Sequence, residues 1–335
     1  MDELFQKAVK QNEEMRKPWG AVPWKPDEPH PQPHYSFDKT TQTWAVPKAG
    51  SPHPNDGVDI TLLALYSWNI DFMLPNAKPR MEAALAHLES MISKVSPSTA
   101  VVIFLQECIA EDLVTIGEKA WVRDRLYVTD VDNSFWASGH YGTTTLVDRR
   151  LHITSCFRAH YEKTRFERDA FCMDISLGKS KDKTVRLCNT HLESLAMEPP
   201  FRPPQMQLVS KFMHAKGIHG ALAAGDFNAI QPFDQTLHSD NDLKDAYLEL
   251  GGAEGNDEGY TWGQQAATTL RERFGCSRMD KVYFCGGLKL ESFQRFGADI
   301  QLAEQEQRQK LEGLGFEKPW ITDHLGVMAE VSIVE

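Results

Sequence analysis

Gly225-Asp226-Phe227-Asn228 follows directly on the apolar run Ala221-Leu222-Ala223-Ala224, so a carboxylate and an amide sit where a buried strand meets a loop. Strand geometry puts residues i and i+2 on one side of the chain, and Asp226 and Asn228 would then face one reacting group if the strand persists that far. An ionised Asp accepts hydrogen bonds and Asn both donates and accepts, a pair suited to holding an attacking water. The same residues also favour an Asx-type turn that merely ends a strand. The pattern recurs. Leu62-Leu63-Ala64-Leu65-Tyr66 leads into Ser67-Trp68-Asn69-Ile70-Asp71, and Val101-Val102-Ile103-Phe104-Leu105 leads into Gln106-Glu107. Val185-Arg186-Leu187-Cys188 leads into Asn189-Thr190-His191-Leu192-Glu193, and Ile321-Thr322-Asp323-His324 precedes the last strand-like stretch, Leu325 to Val334. One such unit is an ordinary cap or turn; five in one chain point to a site assembled from strand ends.

The elements that must carry these groups are legible in the hydrophobic pattern. Met81, Ala84, Leu85, Leu88, Met91 and Ile92 have helical spacing and predict a core-facing helix over Arg80 to Lys94. Met206, Val209, Phe212 and Met213 predict a second over Pro204 to Lys216. Strand-like segments cover Leu126 to Asp130, Thr143 to Val147, Leu151 to Ala159, Ala170 to Leu177, Val185 to Thr190, Met279 to Cys285 and Leu288 to Phe296. Leu243 to Leu250 is expected to be a helix, and the Gln- and Glu-rich Ala298 to Leu311 a solvated helix or insertion. Runs of neighbouring strands with a few helices predict a four-layer α/β sandwich, two packed and mainly antiparallel sheets with helices outside. Strand ends from both halves would meet at one edge of it.

Residues 1–57 are proline-rich, with Pro29-His30-Pro31-Gln32-Pro33 the densest stretch, and are expected to form an extension with at most a short helix over Asp2 to Arg16. Its aromatics Trp19, Trp24, Tyr35, Phe37 and Trp44 could pin it to the domain surface; a disordered arm is the alternative. Residues 58–335 are expected to form the catalytic domain. Six cysteines without C-x-x-C spacing predict free, mostly buried thiols, neither a zinc site nor a disulfide framework. The start Met1-Asp2-Glu3-Leu4-Phe5-Gln6 lacks the basic and apolar regions of a secretory signal, and no apolar run is long enough to span a bilayer, so an intracellular protein of nucleus or cytoplasm is expected, as a monomer. A formal net charge of −11 argues against coating duplex DNA by charge alone, but not against gripping one or two phosphates locally.

Taken together, Ser67-Trp68-Asn69-Ile70-Asp71, Phe104-Leu105-Gln106-Glu107, Thr190-His191-Leu192-Glu193-Ser194, Gly225-Asp226-Phe227-Asn228, Arg278-Met279-Asp280-Lys281-Val282 and Thr322-Asp323-His324 resemble the endonuclease/exonuclease/phosphatase superfamily, and within it the tyrosyl-DNA phosphodiesterase branch. The resemblance implies Mg²⁺, with Mn²⁺ as a substitute, held by Glu107 and Asp71 with Asp323 in support, since such ions take a few carboxylates and keep several waters. Asp226 would accept the proton of the attacking water, which Asn228 orients. Asn69, His191 and His324 would donate to phosphate oxygens as charge builds, with Asp280 orienting His324. Tyr141 and Arg168 lie where the superfamily often contributes phosphate contacts, and Trp262 could stack on a terminal base or be simply core. The expected activity is hydrolysis of 5′-phosphotyrosyl linkages at DNA ends in repair. An abasic-site endonuclease, a deadenylase, a phosphatase of small or lipid substrates and a non-catalytic DNA-end binder are the alternatives. Phe227, Thr322, the proline-dense Glu198 to Pro204 and the Gln/Glu-rich insertion depart from the branch pattern.

Overall fold

A computed structural model describes residues 2–48, 59–177 and 183–334. In chain order the strands are β1 (His30–Pro31), β2 (Ser36–Asp38), β3 (Thr43–Ala45), β4 (Leu62–Asn69), β5 (Thr99–Ile109), β6 (Leu126–Val128), β7 (Tyr141–Asp148), β8 (His152–His160), β9 (Asp169–Leu177), β10 (Lys183–His191), β11 (Gly220–Asp226), β12 (Lys244–Asp245), β13 (Asp280–Gly286), β14 (Leu288–Phe296) and β15 (Gly326–Ile333). The helices are α1 (Asp2–Met15), α2 (Ala77–Ile92), α3 (Ala110–Glu118), α4 (Ala120–Arg125), α5 (Arg202–Met213), α6 (Ala246–Glu249), α7 (Thr268–Phe274) and α8 (Gln305–Gly313). One sheet runs β1-β8-β9-β10-β11-β13-β12 and the other β14-β15-β4-β5-β7-β6. Pairing is antiparallel except at the two junctions β4·β5 and β10·β11, so the sandwich is mainly antiparallel as expected.

Period-2 alternation builds the layers. Leu63 and Leu65 of β4, Val102 and Phe104 of β5, Val185 and Leu187 of β10, Leu222 and Ala224 of β11 and Val282 and Phe284 of β13 form one apolar core between the sheets. Their neighbours face outward. Tyr66, Trp68, Ile103 and Leu105 pack with Met81, Leu85 and Leu88 of α2. Cys172, Cys188, Ala221 and Ala223 pack with Met206, Val209 and Met213 of α5. The result is helix, sheet, sheet, helix. Burying Val or Leu side chains of this kind stabilises by about 1.5–3 kcal/mol each, which makes this pattern the dominant determinant of the fold.

The expected domain boundary at residues 57 and 58 lies outside the described residues. The described arm residues pack on the domain. β1 adds to the edge of the seven-stranded sheet beside β8, Trp24 stacks on His160 at 4.2 Å, and Phe37 is buried. Trp19 stays exposed. Gln32, also buried, donates through Nε2 to the Thr129 carbonyl at 2.8 Å and Asp130 Oδ1 at 3.0 Å, and accepts from Arg158 Nε at 2.9 Å. All six cysteines are free, four of them buried.

Two expected elements differ. The helix expected over Leu243 to Leu250 is only α6, because Lys244–Asp245 pairs with β13 and the Asp245 carboxylate caps the helix by accepting from Tyr247 N. α8 starts at Gln305, not at Ala298. Helices α3, α4 and α7 carry no long periodic stripe and were not expected.

Candidate active site

The inward-facing rows do not end in apolar residues. Continued two residues at a time, 63-65 reaches Ser67 and Asn69, 102-104 reaches Gln106, 185-187 reaches Asn189 and His191, and 222-224 reaches Asp226. Parallel pairing sets His191 beside Asp226, and antiparallel pairing sets Asp280, the first residue of β13, opposite Asp226. β15 runs antiparallel to β4, so Thr322-Asp323-His324 arrives just before β15 where β4 ends. Groups distant in sequence thus meet at one edge of the sandwich. Gly225 permits the closest approach: a Cβ there would lie 1.7 Å from the Thr190 carbonyl oxygen of the neighbouring strand, at φ +150.

Asp226 Oδ2 is the hub. Asn69 Nδ2 donates to it at 3.0 Å, His191 Nε2 lies 3.3 Å away and His324 Nε2 3.8 Å away. Asp226 Oδ1 accepts from the Asn228 backbone N–H at 2.8 Å. The strand does not persist to Asn228, which is left-handed at φ 48, and its side-chain amide donates to the Leu192 carbonyl at 3.0 Å. The expectation of two side chains on one strand face is therefore corrected. The Asx turn and the site are one device, in which the turn uses one carboxylate oxygen and leaves the other to the cleft.

The two imidazoles are in opposite states. Arg168 Nη1 lies 2.5 Å from His191 Nδ1, and because guanidinium only donates, Nδ1 must accept and Nε2 carries the proton toward Asp226. Burial, then the Arg168 charge, push the His191 pKa down to about 4, so it is neutral near pH 7. His324 Nδ1 donates to Asp280 Oδ2 at 2.8 Å. Burial alone would lower its pKa, but the Asp280, Asp226 and Asp323 carboxylates outweigh that and hold it well above the usual value, so it is an imidazolium. Burial would likewise raise the Asp226 pKa, but His324, the His191 N–H and the Asn228 N–H hold it well below the carboxylate range.

Asp71 and Glu107 are both in left-handed backbone, at φ 55 and φ 57, and Glu107 Oε1 lies 3.7 Å from His191 Nε2. Glu107 sits in the irregularity of β5 between Leu105 and Cys108, which turns it out of the strand alternation. Phe72 N donates to Glu107 Oε2 at 3.2 Å and Met73 N to Asp71 Oδ1 at 3.0 Å, which leaves one oxygen of each for a ligand. Burial and then Asp323 and Glu107 raise the Asp71 pKa well above its usual value; burial also raises that of Glu107, with Arg168 and His324 opposing. A buried cluster of carboxylates that suppress one another's ionisation fits a hard divalent cation, which would relieve that repulsion. Oxygen and nitrogen atoms of Asp226, Asp280 and His324 also lie within 4.8 Å of one another, but there the imidazolium already supplies the positive charge and does not ligate metal.

Trp262 is half-buried, not core, and its Nε1 donates to Asp323 Oδ2 at 2.7 Å. Tyr141 stacks on Phe72 at 4.1 Å, its hydroxyl donates to the Phe166 carbonyl at 2.6 Å, and Arg168 lies over its ring at 5.2 Å. Three kinds of supporting residue escaped the sequence reading. Beneath the site, Gln106 Nε2 donates to Asn189 Oδ1 at 2.9 Å and Ser67 Oγ at 3.1 Å, and Asn189 Nδ2 donates to the Thr144 carbonyl at 2.9 Å, a buried polar layer that joins the sheets. Its signal was present: polar residues inside otherwise apolar inward rows. Buried Arg80 of α2 donates to the carbonyls of Asp71 and Ile321, each at 2.8 Å, and so ties the loop after β4 to the loop before β15. Glu193 Oε2 accepts from Thr164 Oγ1 at 2.7 Å and Arg165 N at 3.0 Å, holding the loop that leads to Arg168.

Residues 66–324 match the model of the Endonuclease/Exonuclease/phosphatase family. The chain belongs to that family. Its members are hydrolytic nucleases, phosphodiesterases and phosphatases, and this family member is a hydrolase of that type. Truncated TDP2 of Caenorhabditis elegans has a similar structure, with TM-score 0.59 at 20% identity over 83% of this chain and 100% of that one. TDP2 of D. rerio, complexed with single strand DNA product, gives TM-score 0.60 at 16% identity over 81% and 99%. The human Nocturnin catalytic domain with bound sulfate gives 0.55 at 16% identity over 83% and 97%. At these identities the likeness shows the shared fold. No curated protein sequence matches. Among the described residues, no helix is long and apolar enough to cross a membrane.

Proposed function

We infer that this family member is a Mg²⁺-dependent phosphodiesterase acting on 5′-phosphotyrosyl linkages at DNA ends. The observation that carries the reading is the convergence on Asp226 Oδ2 of Asn69, a neutral His191 and a charged His324, with Glu107 3.7 Å from His191 and Asp71 near Glu107. Mg²⁺ held by Glu107 and Asp71, with Asp323 nearby, would draw charge from the phosphoryl group. The chain's own residues supply the rest. Asp226 is ionised at neutral pH and accepts a hydrogen bond from the attacking water. Held below the usual carboxylate range, it is a weak base at rest, and it takes the proton as the forming P–O bond makes the water acidic. The Asn228 turn fixes Asp226 Oδ1 so that only Oδ2 faces the water. With substrate bound, the N–H groups of Asn69, His191 and His324 that face Asp226 Oδ2 in the free protein would donate to non-bridging oxygens, an arrangement that strengthens as charge accumulates there. Asp280 keeps His324 charged and aimed.

The substrate reading is supported by three features. Arg168, which contacts His191, lies over the Tyr141 ring, and the half-buried Phe72 stacks on that ring, an aromatic surface suited to an aromatic leaving group. A net charge of −11 suits recognition of an end over coating of a duplex. The similar D. rerio TDP2 structure holds a single strand DNA product. The test compares a 5′-tyrosyl oligonucleotide, an abasic duplex and a phosphoinositide, each with and without chelator. Metal-dependent release of tyrosine and a 5′-phosphorylated oligonucleotide, faster than turnover of the other two, is expected. Preference for either alternative overturns the substrate assignment, and absence of metal-dependent turnover overturns the hydrolytic mechanism.

A further inference from the structure

The N-terminal arm reaches the catalytic centre through helix α1. Asn12 is 2% exposed, while its helix neighbours Lys10, Glu13, Glu14 and Met15 are exposed, so among the described side chains of α1 it is a polar one that is buried. Its Nδ2 donates to Glu167 Oε2 in a short hydrogen bond, and Arg16 Nη1 lies 3.8 Å from the other oxygen of the same carboxylate. Lys17 N donates to the Ala137 carbonyl at 2.8 Å, which fixes the helix end against the segment preceding Tyr141. Glu167 is left-handed at φ 51, a conformation that costs a residue with a Cβ about 1–2 kcal/mol and persists where its surroundings hold it. The next residue is Arg168, whose Nη1 reaches His191 Nδ1 and whose Nη2 donates to Ser194 Oγ at 2.7 Å.

We propose that Asn12 of the arm is a positioning residue of the catalytic centre: it holds Glu167 in its left-handed turn and thereby sets Arg168 onto His191. Asn12 touches no reacting atom. It acts through Glu167 and Arg168, and an untethered Glu167 would relax toward right-handed backbone and withdraw the guanidinium from the imidazole. The effect on rate rests on the phosphodiesterase reading above; the effect on Arg168 does not.

The experiment uses the full chain and two readouts. One is kcat and KM on thymidine 5′-(p-nitrophenyl phosphate), a general phosphodiester that does not presuppose a tyrosyl substrate. The other is the ¹⁵N resonance of the Arg168 guanidinium, assigned with Arg168→Lys, which reports restricted rotation whether or not turnover is observed. Asn12→Ala is expected to lower kcat about tenfold with KM within twofold, and to average the guanidinium signal. In an Arg168→Ala background the same change is expected to alter kcat less than twofold, because its route of action is already gone. Asn12→Asp is expected to be as damaging, and Asn12→Asp with Glu167→Gln to restore both readouts by exchanging donor and acceptor. An unchanged guanidinium signal in Asn12→Ala, an equal loss of rate in the Arg168→Ala background, or failure of the paired exchange to restore either readout overturns the proposal. Absence of wild-type turnover would instead overturn the functional reading, with the guanidinium signal still deciding the role of Asn12.

Discussion

Replacing Gln32 by Met tests whether the arm is part of the folded domain. Met matches the length of Gln and keeps the cavity filled, so the change isolates three buried hydrogen bonds: to the Thr129 carbonyl, to Asp130 Oδ1 and from Arg158 Nε. Asp130 keeps its contacts with Arg158 Nη2 and Thr129 Oγ1, so it is not stranded. The Arg158 Nε–H is stranded on a fully buried guanidinium, and the Thr129 carbonyl loses its Gln32 donor. Each such group costs about 1–3 kcal/mol, more where the donor is charged, which gives a loss of about 3–4 kcal/mol. With about 2.1 cal/mol/K of unfolding entropy per residue, a chain of 335 residues loses about 1.4 °C of Tm per kcal/mol. Differential scanning calorimetry should therefore show Tm falling by about 4 to 6 °C. Gln42→Met, at an exposed arm position, should stay within about 1 °C. A shift under 1 °C for Gln32→Met would refute the view that the arm is integral, because a peripheral extension is the case in which those bonds do not matter.

Four further outcomes follow from the geometry. Asp226→Asn should lower kcat about a thousandfold while the Tm stays near wild type, and chelation should stop wild-type turnover until Mg²⁺ or Mn²⁺ is restored; full activity in either case contradicts the assigned roles. Gly225→Ala should yield no soluble folded protein, or a Tm lowered by more than about 10 °C, because the added methyl meets the Thr190 carbonyl of the adjacent strand. Burial pushes the Asp112 pKa up to about 6 from an ordinary 3.8, so its folded pKa exceeds the unfolded one. Its contribution is then fully present below pH 4 and is lost as pH rises through 6. Asp112→Asn should accordingly gain about 2–3 kcal/mol relative to wild type between pH 4 and pH 7, read as a variant-minus-wild-type Tm difference that rises across that window.

The sandwich was legible because both faces of its sheets are buried in predictable alternation, and the helices over Ala77–Ile92 and Arg202–Met213 announce themselves by period. The residues gathered around Asp226 were legible for a related reason: they are polar residues at the ends of apolar strands. What stayed hidden obeys no period. Glu107 and Asn228 were named from their motifs, but not the backbone irregularity and the turn that bring them to the site, and Arg80, bound to five backbone carbonyls, was not named at all; none of these leaves a hydrophobic signature. The arm packs through β1, Trp24 and Phe37, as the aromatic alternative expected, and also through the amides of Gln32 and Asn12, single polar residues that no periodic pattern marks.

The polar layer of Ser67, Gln106, Asn189 and Thr144 has a consequence for how the enzyme is assembled. Apolar faces tolerate repacking and lose uniqueness before they lose stability. An amide that must meet one particular amide has no such latitude. Asn69 and Glu107 travel with one sheet, His191 and Asp226 with the other, and the amide pair between them works as a key that admits a single docking offset. Any misfolded sandwich with the sheets displaced would strand these amides in the dry interior and separate the groups to which we assign catalysis in the same movement, so the proposed site forms only in the one alignment that also satisfies the interior.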